Sequence, residues 1–112
     1  MRSAPIALIL LAAPALADPP VVEAVLVEAG RVHVTLSHPD TGWEHYADGW
    51  EVLDAAGNRL GVRELLHPHV EEQPFTRSLT VRLPEGLGHV QLRARCSVDG
   101  WAADVTAARV AY

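Results

Sequence analysis

The feature that most constrains this chain is the shortness of its apolar runs. After Pro19-Pro20, valine and leucine recur in brief stretches, each stopped by Gly, Pro, Asp or Asn. No segment beyond the first 17 residues keeps the 3.6-residue period of an amphipathic helix, so strands are the expected element. Seven runs stand out, at 21–27, 31–36, 49–55, 59–66, 75–83, 89–98 and 104–112. Several alternate cleanly. In "RVHVTLS", Val32, Val34 and Leu36 share one face and His33, Thr35 and Ser37 the other, as the two-residue period of a pleated strand requires. The same spacing groups Leu79, Val81 and Leu83, and also Val90, Leu92, Ala94, Cys96 and Val98. Cys96 is therefore expected to face the core near the end of its strand. "DAAGN" and "LPEGLG" supply turns with glycine where a positive φ is needed.

Seven such strands in a chain of 112 residues imply an all-β fold, a seven-stranded immunoglobulin-like or fibronectin-like antiparallel sandwich. Consecutive strands reverse direction, so alternate loops share an end. Loops 37–48, 67–74 and 99–103 should meet at one pole. That pole would collect His38, His45, His67 and His69, with Asp40, Glu44, Asp48, Glu71, Glu72 and Asp99, above Cys96.

Residues 1–17 carry one charge, Arg2, then an apolar run and "ALA" before Asp18. This is the pattern of a secretory signal peptide, too short in its apolar part to span a bilayer. Cleavage after Ala17 would leave one domain, 18–112, in the periplasm or outside the cell. No later run is long enough for a membrane helix and no cysteine follows the small residues, so no membrane anchor is expected. The formal charge is minus 5, and loss of Arg2 makes it more negative. That opposes nucleic acid or an anionic membrane as partner, since both need clustered positive charge. Cys96 is the single cysteine, which excludes a disulfide within the chain.

Neutral imidazole is the commonest protein ligand for transition metals, and a thiolate adds affinity for softer ions. His38, His45, His67 and His69 are thus metal-ligand candidates, with Cys96 and Asp99 beside them. The plainer alternative is that "HPHVEEQPF" is a proline-stiffened connector whose Phe75 caps the core. Cys96 has three readings: a small buried hydrophobe, a metal thiolate, or a redox thiol. Trp50, in phase with Val52, is expected in the core. Trp43 and Trp101 fall on the polar pole, where they either shield it or present a surface to a partner. His33 and His89 are expected to be structural or solvent-facing. No serine lies in a Gly-x-Ser-x-Gly elbow, and no phosphate loop, EF-hand or dinucleotide fingerprint occurs.

Two segments together resemble a known family. "HPDTGWEHYADGWEVL" and "RCSVDGWAADV" are similar to the His-Pro, Glu-His, Trp segment and the Cys-x-x-His-Gly-x-Trp segment of the superoxide reductases, the desulfoferrodoxin and neelaredoxin family. The resemblance implies an immunoglobulin-like sandwich with ferrous iron held by four histidines and one cysteine, reducing superoxide to hydrogen peroxide. It assigns His38 and His45 to two histidine ligands and Cys96 to the thiolate. Asp99 stands where the family has its last histidine, and the amino-terminal histidine has no counterpart. "HPDTG" also resembles the metal-free thiosulfate-oxidation carrier subunit of the Sox system. Two functions are therefore expected. One is an exported transition-metal-binding protein, with iron by resemblance or copper or zinc by ligand type, acting as a superoxide-reductase-like enzyme with a protein electron donor if the iron site is intact. The other is a metal-free interaction or carrier subunit that docks a partner protein through the same loops.

Overall fold

The structure, a computed structural model, describes residues 18–112; the expected signal peptide at 1–17 lies outside them. The described chain contains eight strands and no helix: β1 (Val21–Glu28), β2 (Arg31–Ser37), β3 (Ala47–Leu53), β4 (Arg59–Glu64), β5 (Phe75–Thr80), β6 (His89–Cys96), β7 (Gly100–Trp101) and β8 (Thr106–Ala111). No helix among the described residues is long and apolar enough to cross a membrane.

The all-β expectation holds, and two parts of it are corrected. The seven-stranded, wholly antiparallel sandwich is instead one hydrogen-bonded sheet in the order β4-β3-β6-β8-β1-β2-β5, with β7 paired to β6. The extra strand is a two-residue return that pairs Trp101 with Arg95 and Gly100 with Cys96. The two halves are joined by a short parallel contact, Val27 to Val110 and Glu28 to Ala111. The far edges, β4 and β5, also approach each other. A Cβ built at Gly61 would stand 3.0 Å from Leu79 and 3.1 Å from Val81, a tight fit that glycine relieves where the two edges come together. The sheet is thus barrel-like.

The interior follows from the alternation. Val32, Val34, Leu36, Val90, Leu92 and Ala94 are buried, and Trp50 and Val52 lie among them. Cys96 is the last buried position of β6. Val98 departs from its expected inward phase: β6 ends at Cys96, the chain turns, and Val98 is 60% exposed.

Strand β3 is covered on both faces. Behind its core face, Glu51 is buried under Arg59 and Arg93. Arg59 Nε donates to Oε1 at 2.9 Å and Arg93 Nε to Oε2 at 2.7 Å. Both guanidiniums and that of Arg95 also lie 5.0–5.4 Å from the ring centre of Trp101. Each buried carboxylate oxygen here has a charge-assisted donor, which is what lets an ionisable group stay out of water.

Candidate metal centre

The pole is assembled by hydrogen bonds between loops. The amide of His38 donates to Gln73 Oε1 at 2.9 Å, and Gln73 Nε2 donates to the carbonyl of His69 at 2.8 Å. The amide of Ser97 donates to the carbonyl of Tyr46 at 2.9 Å, and Ser97 Oγ accepts the Tyr46 amide at 3.0 Å. Loops following β2, β4 and β6 therefore meet, as the strand alternation implies.

His45 is presented by a tight turn. Thr41 donates its amide to the carbonyl of His45 at 3.0 Å, and His45 donates to the carbonyl of Gly42 at 3.2 Å. Gly42 takes φ of 149°, a conformation open to glycine and strained for other residues. Cys96 comes from the end of β6, paired with Ala47. The amide of Val98 points at its sulfur from 3.4 Å.

One imidazole nitrogen from each of His38 and His45, and the sulfur of Cys96, lie within 4.8 Å of one another. The His38 and His45 rings meet edge to face, with centroids 4.9 Å apart. Their Nε2 atoms are buried and have no hydrogen-bond partner. A buried polar atom without a partner is costly and uncommon. Two of them beside a buried thiol are what an ion-binding cluster requires of its donors.

Asp40 explains why the His38 nitrogen is available. It is buried, its Oδ1 accepts the amide of Ala47 at 2.9 Å, and its Oδ2 accepts the amide of His69 at 2.8 Å. With both oxygens serving as acceptors, the His38 Nδ1 that faces Oδ1 at 2.5 Å is the N–H donor. The lone pair is then on Nε2. A carboxylate behind a ligand imidazole is the usual way to fix tautomer and ring orientation.

The other predicted ligands stand outside this trio. His69 is buried, but its ring stacks on Phe75 at 3.8 Å, and its Nε2 lies 2.8 Å from Arg77 Nη2. A guanidinium only donates, so the His69 lone pair is taken by Arg77. Burial, then the charge of Arg77, hold the His69 pKa below its ordinary value of 6.5. His67 is exposed, with Nδ1 3.1 Å from the carbonyl of Pro68. Asp99 is exposed, and its Oδ2 accepts the thiol of Cys96 at 3.8 Å. The five-ligand iron set implied by the family resemblance is therefore not completed by the described residues. Sequence reasoning placed Asp40 at the pole only as one carboxylate among several, and missed Gln73 and Arg77. The signal for Asp40 was its place two residues after His38.

No family model matches the sequence. A putative lipoprotein from Halomicrobium mukohataei is 46% identical over 85 residues, which cover 72% of this chain and 42% of that protein. The chain thus spans less than half the length of this relative. Among solved structures, a superoxide reductase (1Fe-SOR) from Giardia intestinalis aligns over 81% of this chain and 95% of its own, with a TM-score of 0.53 and 17% identity. A neelaredoxin from Archaeoglobus fulgidus aligns over 83% and 87%, with a TM-score of 0.48 and 16% identity. The likeness implied by the two motifs is present in the fold, which is similar to that of the superoxide reductases.

Proposed function

We propose that this chain is an exported transition-metal-binding protein on a superoxide-reductase-like fold, with His38, His45 and Cys96 as its ligands. The observation that carries the reading is the convergence of three donor atoms within 4.8 Å, two of them buried imidazole nitrogens without partners. Iron is the ion suggested by the fold, and copper and zinc suit an imidazole and thiolate donor set. Export is supported by the leader-like residues 1–17 and by the name of the lipoprotein relative. Superoxide reduction is the associated enzyme activity, with an electron-donor protein as partner, if iron fills the site with an open position.

The test is metal analysis of protein purified from its native compartment, alongside the His38→Ala/His45→Ala double variant. The expected result is one ion per chain in the first and none in the second. An ion retained by the double variant would move the site elsewhere. A chain that takes up no ion at any stage would favour the second reading, a metal-free interaction or carrier subunit. Trp43 supports that alternative: it is 67% exposed at the pole, propped edge-on by Tyr46 at 5.6 Å. Trp101, the other aromatic expected there, is covered in part by Arg59, Arg93 and Arg95.

A further inference from the structure

Resting on the metal-binding reading, we infer that the ion this centre selects is thiophilic and low-coordinate, namely copper in its +1 state, rather than iron. The donor inventory leads there. The cluster offers two imidazole nitrogens and one sulfur, and no carboxylate belongs to it. Of the nearby groups that could enlarge the set, Asp40 and His69 are held by donors within the protein, and His67 and Asp99 lie outside the trio. Both oxygens of Asp40 hold three N–H groups, from His38, Ala47 and His69. The His69 lone pair faces Arg77. His67 is exposed, with Nδ1 turned to Pro68, and Asp99 is exposed beside the sulfur.

Hard ions that need six or more oxygens find no such shell here. Zinc in a protein site is almost always four-coordinate and would need a water to complete these three donors, and ferrous iron prefers a larger nitrogen and oxygen set. A set of two histidines and one cysteine is a recurrent copper environment, and thiolates favour the +1 ion.

Spacing is compatible with such a site. With metal–donor distances of about 2.0 to 2.3 Å, donors around an ion lie ~3.7 Å apart in a trigonal plane, ~3.5 Å in a tetrahedron and ~3.0 Å between octahedral neighbours. The present trio lies within 4.8 Å, close enough for small inward movements to bring all three donors onto one ion. That matters because Asp40 and Gln73 brace the His38 loop from behind. On binding, the Cys96 S–H bond breaks, a copper–sulfur bond forms, and the proton leaves to solvent. No electron is transferred.

The experiment uses the full chain, freed of metal and kept anaerobic. It is titrated separately with Cu(I) against a chromophoric Cu(I) chelator, with Zn(II) and with Fe(II), and the copper form is examined by X-ray absorption. The expected result is one Cu(I) per chain in a three-coordinate shell with one sulfur and two nitrogen scatterers. Cys96→Ser should weaken Cu(I) binding by more than the ~10–100-fold typical of losing a supporting group, and Asp40→Asn by about that range. The sulfur scatterer in the unaltered protein is read independently of whether Cys96→Ser folds. A copper shell without sulfur, Cys96→Ser binding as tightly as the parent, or iron held more tightly than Cu(I) would overturn the copper inference alone. Failure of all three ions to bind at 1:1 would overturn the metal-binding reading, and this inference with it.

Discussion

Two regions of this molecule bury polar side chains, and they do it differently. On the outer face of β3, β6 and β7, Glu51 is 2% exposed and both its oxygens are met by arginine donors. Arg95 completes that face. Burial works against its charge, but the side-chain hydrogen bonds it donates to Glu64 and Asp48 outweigh it and raise its pKa. At the pole, His38 is 3% exposed and only one of its ring nitrogens is met. The first network is closed on itself, so its polarity is explained by packing. The second leaves donor atoms facing a common point, so it needs something further to explain it. Buried polarity by itself therefore does not mark a functional site, and neither does one missing partner, since Trp50 Nε1 and His69 Nδ1 also lack one; two unpartnered imidazole nitrogens beside a buried thiol do.

The largest expected effect breaks the closed network. Glu51→Ala removes the buried carboxylate and leaves two arginines that are 50% and 35% exposed. Because these can rehydrate, the cost should fall near the lower end of the range for a broken buried pair, about 3 kcal/mol. Urea unfolding checks it, and metal stoichiometry should stay unchanged. A loss of metal on this substitution would mean that the two regions are not separate.

The next effect sharpens the contrast from the other side. An ion that binds only the folded chain stabilises it by about 2.7 kcal/mol at a free concentration 100 times its Kd. The parent protein should gain roughly this on metal addition, and His38→Ala/His45→Ala should gain nothing. Equal shifts in thermal midpoint would disprove the assignment. In metal-free protein, His45→Ala alone should cost less than about 1 kcal/mol, because it deletes a half-buried ring whose buried nitrogen makes no bond to lose. A cost comparable to that of Glu51→Ala would give His45 a structural role.

Much of this contrast was legible in the sequence, and what was not has a physical cause. Alternation in "RVHVTLS" and "HVQLRARC" identifies strands and their inner faces, because a two-residue period admits no other regular element. Strand reversal then brings His38, His45 and Cys96 to one pole. Alternation says nothing about which strands become neighbours, so the parallel β1–β8 join and the approach of β4 to β5 could not be read. β7 was missed because two residues carry no period. Histidine counting does not separate the trio from its neighbours. The identity of His69 gives no sign that Phe75 and Arg77 occupy its ring, whereas Asp40, so near His38 in the chain, could have been read as its support. Nothing in the sequence around Glu51 signals its burial, since its arginine partners come from other strands.

The smallest effect concerns His69, whose lone pair is spent inside the protein rather than at the centre. Its folded pKa lies below 6.5 because of burial first and the Arg77 charge second. In the unfolded chain the ring titrates near its ordinary value. Between the two values the unfolded state binds more protons, so stability rises with pH there. The contribution of neutral His69 is complete above about pH 6.5 and is lost as pH falls towards the depressed folded value. Denaturation midpoints of metal-free protein should therefore drop between pH 7.5 and 5.5, and less steeply in His69→Gln, whose side-chain oxygen can still accept from Arg77. Identical pH slopes in the two proteins would show that His69 is free to take a proton in the folded state. Its lone pair would then also be free to join His38, His45 and Cys96, and the distinction drawn between the trio and its neighbours would fail.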